Sequence, residues 1–512
     1  EGLAFFRGLN NPELERLYLE YMPLTFSRRH GDPSRPWNRF SIETRNPDGS
    51  KKLFYEGNWR DIFQNWEALG ISYPGFFESM VSKFVNASTA DGYNPYRITR
   101  DGIDWEVDDP KDPWSYIGYW GDHQIIYLLK LLEQSEAFHP GQLLELLSRE
   151  IFVYANVPYR IKPYAALLAN PCDSIEFDQE AHAAAMALSK AVGSDGKLLH
   201  VRDDGIYRVN LTEKLLIPLL AKLSNFIPEA GIWMNTQRPE WNDANNALVG
   251  SGVSMVTLCY MRRYLDFCIR LFSSSGNSDF AVSREVEHKF REIFDALQAS
   301  SQHLETGFDN RQRRTLLDAL GAAGEHYRQV IYKKGFSGDK TGLPVADIIA
   351  FFKLAQKYMD QTIAANRRDD GLYHAYNLMK VEADGGISIR YLYEMLEGQV
   401  AVLSSGKLSA AESVDVLKAL RASSLYRADQ HSYILYPNRR LSDFMEKNCI
   451  PADGAVDPRI ASRDCNGVLH FNPGFRNAAM LNEALLEMNC PEEERKKWLA
   501  TYEEVFDHQS FT

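Results

Sequence analysis

Asp122-His123-Gln124-Ile125-Ile126-Tyr127-Leu128-Leu129-Lys130-Leu131-Leu132 places Ile125, Leu128, Leu129 and Leu132 at i, i+3, i+4 and i+7. That spacing lays them along one face of an α-helix, and Asp122 stands where a side-chain oxygen caps the first free backbone N–H groups. Outward from this stretch the same period recurs at Met261, Leu265, Cys268 and Phe272, and again at Ile348, Phe352, Ala355 and Met359. Further helices are predicted over 142–154, 179–192, 212–224, 283–298, 311–331, 410–422, 476–489 and 491–505. About a dozen helices and few convincing strands predict an all-α fold, a toroid of helical hairpins paired around one axis.

Residues 1–50 read as an N-terminal lead, and 51–512 as the main helical domain. The lead is loop-rich: Pro33, Pro36 and the run Asn46-Pro47-Asp48-Gly49-Ser50 punctuate it, the last as a tight turn in a small hairpin. Glu1 is not a natural start, so the chain reads as a piece of a longer polypeptide. The expected location is cytoplasmic, although a cleaved signal peptide would also account for Glu1.

The charge of −12 excludes a general nucleic-acid binder, which needs a basic face to displace phosphate counterions. No apolar run is long enough to span a membrane. Six cysteines (172, 259, 268, 449, 465 and 490) show no CxxC pair, which fits structural thiols better than disulfides or zinc. No metal and no cofactor are expected. Oligomeric state is not legible.

Three segments before helices mix Trp, amides, carboxylates and Gly: 55–67, 114–124 and 236–250. Sugars present paired hydroxyls and an apolar ring face. A sugar site therefore uses carboxylates, amides and Arg for bidentate hydrogen bonds, and Trp or Tyr for stacking. Glycosidic cleavage adds a proton donor for the leaving oxygen. Glu240 and Asp243 flank Trp241, an aromatic wall able to raise a carboxyl pKa. The competing assignment for Asp243, Asn245 and Asn246 is capping of the next helix.

Pro239-Glu240-Trp241-Asn242-Asp243-Ala244-Asn245-Asn246, with Val249-Gly250, resembles the D-W-N-D-G-M-N…V-G segment of the cellobiose and chitobiose phosphorylase family. Arg60-Asp61-Ile62-Phe63-Gln64-Asn65 is similar to that family's R-D-S-N-Q-D, and Gly121-Asp122 to its S-D-D. The resemblance covers roughly residues 50–260, in the family's order. It implies an (α/α)6 barrel and an inverting enzyme acting on a β-glucan or oligosaccharide. Cyclic β-1,2-glucan synthases carry the same signature. Asp243 or Glu240 would be the acid. Arg60, Asp61, Gln64, Asn65 and Asp122 would hold the glycone, with His123 beside them and Trp120 and Trp241 stacking on sugar. Against these stand an ion pair of Arg60 with Glu56, a helix cap for Asp122, a loop role for His123 and core packing for both Trp.

Departures from the pattern bear on the nucleophile. Val402 stands where the family's phosphate-binding His would fall after Gly398-Gln399, while Glu397 is a carboxylate that a phosphorylase does not need. The expected reaction is therefore inverting hydrolysis with Glu397 as base. Phosphorolysis to a sugar 1-phosphate, with inorganic phosphate as partner, is the alternative, and a non-catalytic glucan-binding module the third reading.

Overall fold

The computed structural model describes residues 2–26, 43–107, 111, 117–119, 124–201, 205–236, 248, 250–438, 443–451, 456–475 and 477–506. The chain divides into two compact units, Glu1–Tyr436 and Pro437–Thr512.

Most predicted helices form where periodicity placed them. Gln179–Val192 and Ala410–Ala422 match their predicted spans, and the stripes of the opening stretch and of 261–272 belong to Gln124–Phe138 and Met255–Ser273. The helix expected over 142–154 covers only Gln142–Leu146. Beyond it, the β-branched and aromatic run Ile151-Phe152-Val153-Tyr154 is extended, with Phe152 bridging Val209.

The all-α toroid is overturned. Among the described residues about 52% are helical and 15% lie in strands. A four-stranded sheet joins Thr25–Phe26, Phe54–Asn58, Arg97–Thr99 and Ile103–Asp104, the first pair parallel and the others antiparallel. An antiparallel five-stranded sheet runs in the order Ile387–Tyr391, Tyr376–Val381, Gly252–Ser254, Gly231–Trp233, Phe226–Ile227. These strands have two to six residues; Gly231–Trp233 and Gly252–Ser254 are buried throughout, and Tyr376–Val381 over its first four residues. Such strands carry no alternation for a period-two search to detect.

In the larger unit Met255–Ser273 packs against Val345–Ala365, Gln124–Phe138 and Leu396–Ser404. One core runs through Trp59, Phe63, Trp66, Leu265, Phe352 and their neighbours. Every residue of Leu211–Leu223 is buried, including Glu213, Lys214 and Lys222, so this interior is aromatic and charged together. The smaller unit packs a hairpin, Ala461–Arg463 with Leu469–Phe471, on the helices Ala478–Glu487 and Glu492–Phe506. Its buried Asn448 accepts from the Phe471 N–H (2.8 Å) and donates to the Phe471 carbonyl (2.8 Å), replacing a missing strand neighbour. Among the described residues no helix is long and apolar enough to cross a membrane.

Candidate functional site

The strand Phe54–Asn58 runs directly into the helix Trp59–Ser72. Asn58 accepts from the Asp61 N–H at 2.8 Å and donates to Asp61 Oδ2 at 2.9 Å, so cap and first turn brace each other. Trp59, Ile62, Phe63 and Trp66 fill the core, which leaves Arg60, Asp61, Gln64 and Asn65 on partly or fully exposed positions. Asn65 turns back on its own helix, donating to the Asp61 carbonyl at 2.6 Å. Glu56, the partner considered for Arg60, forms an ion pair with Arg97 at 3.2 Å.

Gln64 and Glu397, far apart in sequence, line one cleft of about 280 Å³. Its walls come from four helices, Trp59–Ser72, Gln124–Phe138, Met255–Ser273 and Leu396–Ser404, with Leu435 from a loop. Ile126, Val256, Leu396 and Ala401 supply apolar surface, and Tyr127 and Tyr260 aromatic surface. Lys130 pairs with Glu67 at 3.0 Å within the same wall. Tyr376 OH donates to Glu397 Oε2 at 3.0 Å, fixing the carboxylate from the five-stranded sheet. Arg60, Asp61 and Asn65 do not line this cleft. Gln399 is fully buried and bonds only backbone, at Tyr373 and Met395, while Val402 lies in the core. Trp120, Asp122, His123, Glu240, Trp241 and Asp243 lie outside the described residues.

The bases of the two unplaced motif segments are nevertheless joined. The Tyr119 N–H donates to the Thr236 carbonyl (3.1 Å), and Thr236 Oγ1 donates to the Tyr119 carbonyl (2.8 Å). Trp233 Nε1 and Met234 meet Gly250 across the return of the chain, at 2.6 and 3.2 Å. Gly250 holds φ +88°, and a Cβ there would stand 3.1 Å from the Cys172 backbone nitrogen, so glycine is required.

Asp91-Gly92-Tyr93-Asn94-Pro95-Tyr96, which sequence reasoning missed, connects all three motif segments. The Trp59 N–H donates to the Tyr96 carbonyl (3.0 Å), Tyr93 stacks on Tyr119 (5.1 Å between centroids), and Asn225 links Tyr93 OH to Asn235. Gly92, at φ +94°, lets the loop approach the helix Leu211–Leu223; a Cβ would lie 2.8 Å from the Ile217 carbonyl oxygen. Asp91 accepts from Tyr332 OH (2.6 Å) and Tyr119 OH (3.2 Å). Burial pushes its carboxyl above the usual range, against the lowering pull of the Tyr332 hydrogen bond and of Arg160, Arg328 and Lys289. Burial likewise pushes the Lys289 amine down to about 7, with Arg328 adding to the effect and Asp91 opposing it.

Two amides near these segments stand apart. Asn94 and Gln124 are fully buried, and among the described residues neither amide oxygen nor nitrogen has a hydrogen-bond partner. The available signal in the sequence was a density of Asp, Gly, Tyr, Asn and Arg over 91–97 equal to the other segments but lacking Trp.

Residues 441–509 match the family model described as GH149 phosphorylase insertion domain 2, and this range takes in most of the smaller unit. The match, over this part of the chain, supports a glycoside phosphorylase family. No curated protein matches the chain.

Proposed function

We propose that this chain belongs to an inverting glycoside phosphorylase that cleaves a glucosidic bond of a β-glucan or oligosaccharide with inorganic phosphate. The observation that carries this reading is the match of 441–509 to a phosphorylase insertion domain. In the proposed reaction a phosphate oxygen bonds the anomeric carbon as the bond to the leaving oxygen breaks. Asp243, or Glu240 in its place, gives that oxygen its proton. The products are a shortened glucan and a sugar 1-phosphate of inverted configuration.

Arg60, Asp61, Gln64, Asn65, Asp122 and His123 hold the glycone, with Trp120 and Trp241 against its apolar face. Asn94 and Gln124 add buried amides suited to sugar hydroxyls, each able to donate and accept. Of the described residues in this set, Gln64 lines the mixed apolar and polar cleft that Glu397 also lines, which supports its assignment.

Hydrolysis is the second reading, favoured by the Glu397 carboxylate in the same cleft as Gln64. Phosphate is its own nucleophile and needs no base, whereas water does. The separating experiment measures shortening of β-gluco-oligosaccharides with and without inorganic phosphate, in the wild type and in Glu397→Gln. Phosphorolysis predicts cleavage only with phosphate, surviving in the variant. Cleavage without phosphate that disappears in Glu397→Gln would establish hydrolysis instead.

A further inference from the structure

The helices Arg284–Ala299 and Asn310–Lys334 pack against each other and carry a cluster with no part in the sugar reaction. His288 and Glu292 are i and i+4 on one helix, so they share a face. His326 reaches them from the neighbouring helix. Its Nδ1 lies 2.8 Å from Glu292 Oε1, and His288 Nδ1 lies 3.7 Å from the same oxygen. The two imidazole rings are 5.1 Å apart and nearly perpendicular. One donor atom from each of the three residues falls within 4.8 Å of the others. Glu292 Oε2 is buried and has no hydrogen-bond partner.

A hydrogen bond between Glu292 and His326 accounts for one contact. It leaves unexplained the second imidazole against the same oxygen and the idle second oxygen. A tetrahedral ion with bonds near 2.0–2.2 Å holds neighbouring donors about 3.4 Å apart, between the two separations seen here. Two imidazole nitrogens and one carboxylate suit zinc-class ions, while calcium and magnesium call for oxygen ligands throughout.

We propose that His288, Glu292 and His326 form a binding site for a divalent transition metal of the zinc class, with the fourth position open to water. All three ligands stand on helices already fixed by buried Phe290, Ile293, Leu297, Leu320 and Tyr327, so binding needs little rearrangement. The ion clamps one helix to the other, and binding the native state alone raises stability by mass action.

The test uses the whole chain, purified without a metal-affinity tag and dialysed against chelator. It is titrated with cobalt(II) while visible spectra are recorded, then with zinc. Exposed Cys172, Cys449 and Cys465 are competing ligands, and sulfur-to-cobalt charge-transfer bands in the near ultraviolet would reveal them. The proposal predicts d–d bands without those sulfur bands, saturating at one equivalent and abolished by zinc. His326→Ala and His288→Ala should each weaken binding by at least about tenfold, since each removes a ligand. Zinc should raise the melting temperature of the wild type only. Both histidines are more than half exposed, so folding of the variants is checked by circular dichroism. No saturable binding, or equal binding in wild type and both variants, overturns the site.

Discussion

Two polar regions inside the larger unit bear the same burial and resolve it in opposite ways. Around Glu213 every strong acceptor is used. Its carboxylate accepts from Tyr154 OH (2.8 Å), Ser283 Oγ (2.7 Å) and the Ser283 N–H (2.6 Å), and Lys340 Nζ stands at 3.8 Å. Beside it Lys214 donates to the Ser88 carbonyl and sits over the Tyr154 ring at 3.6 Å. Asn94 and Gln124 are equally buried, yet their amides meet no partner among the described residues. A buried polar group without a partner costs about 1–3 kcal/mol. The closed network is scaffold; under the proposed function, the open amides are where a ligand with hydroxyls would restore the missing bonds.

The largest expected effect lies on the closed side. Glu213→Ala takes the acceptor from Tyr154 and Ser283 and the counter-charge from Lys340, and should cost about 3–5 kcal/mol in urea unfolding. A loss under about 1 kcal/mol would erase the contrast between the regions.

Lys289 sharpens the comparison through pH. Its folded pKa, about 7, lies below the ordinary lysine value, so between the two the unfolded chain binds the extra proton and stability rises with pH. Lys289→Met should therefore stabilise most at pH 7 and below, with the gain shrinking as pH climbs toward 10. A gain independent of pH would place the cost in packing rather than charge.

On the open side, Gln124→Leu keeps the volume and removes two unmatched polar atoms. Stability should hold or rise slightly, while kcat/KM for oligosaccharide falls by about tenfold, the worth of one or two hydrogen bonds. A clear loss of stability with unchanged kcat/KM would return Gln124 to the scaffold. The smallest effect is at Asn58: Asn58→Ala removes the cap and should cost about 1 kcal/mol by thermal melting. Asp61 belongs to both classes, bonded to Asn58 yet proposed for sugar. If Asn58→Ala also raises KM by severalfold, the cap is positioning that carboxylate.

Helices were legible where one face is apolar over many turns, as in Met255–Ser273 and Arg284–Ala299. The five-stranded sheet was not, since Gly231–Trp233 and Gly252–Ser254 acquire strand geometry only from their neighbours in the sheet. For the candidate site, the segment at Arg60–Asn65 stood out by composition, and Glu397 by its place before Gly398-Gln399. That Glu397 shares a cleft with Gln64 follows from tertiary packing, which no local pattern records. Asn94 escaped notice because an amide's value to a ligand depends on what the fold withholds from it.

The most direct measurement follows the phosphorus. The protein is incubated with a β-gluco-oligosaccharide and inorganic phosphate, and ³¹P NMR is recorded as the reaction proceeds. The proposed function predicts a growing sugar 1-phosphate resonance with the α-configuration, the inverted product of a β-linkage, and its loss in Asp243→Asn together with Glu240→Gln. Shortening of the oligosaccharide with all phosphorus remaining inorganic would contradict it.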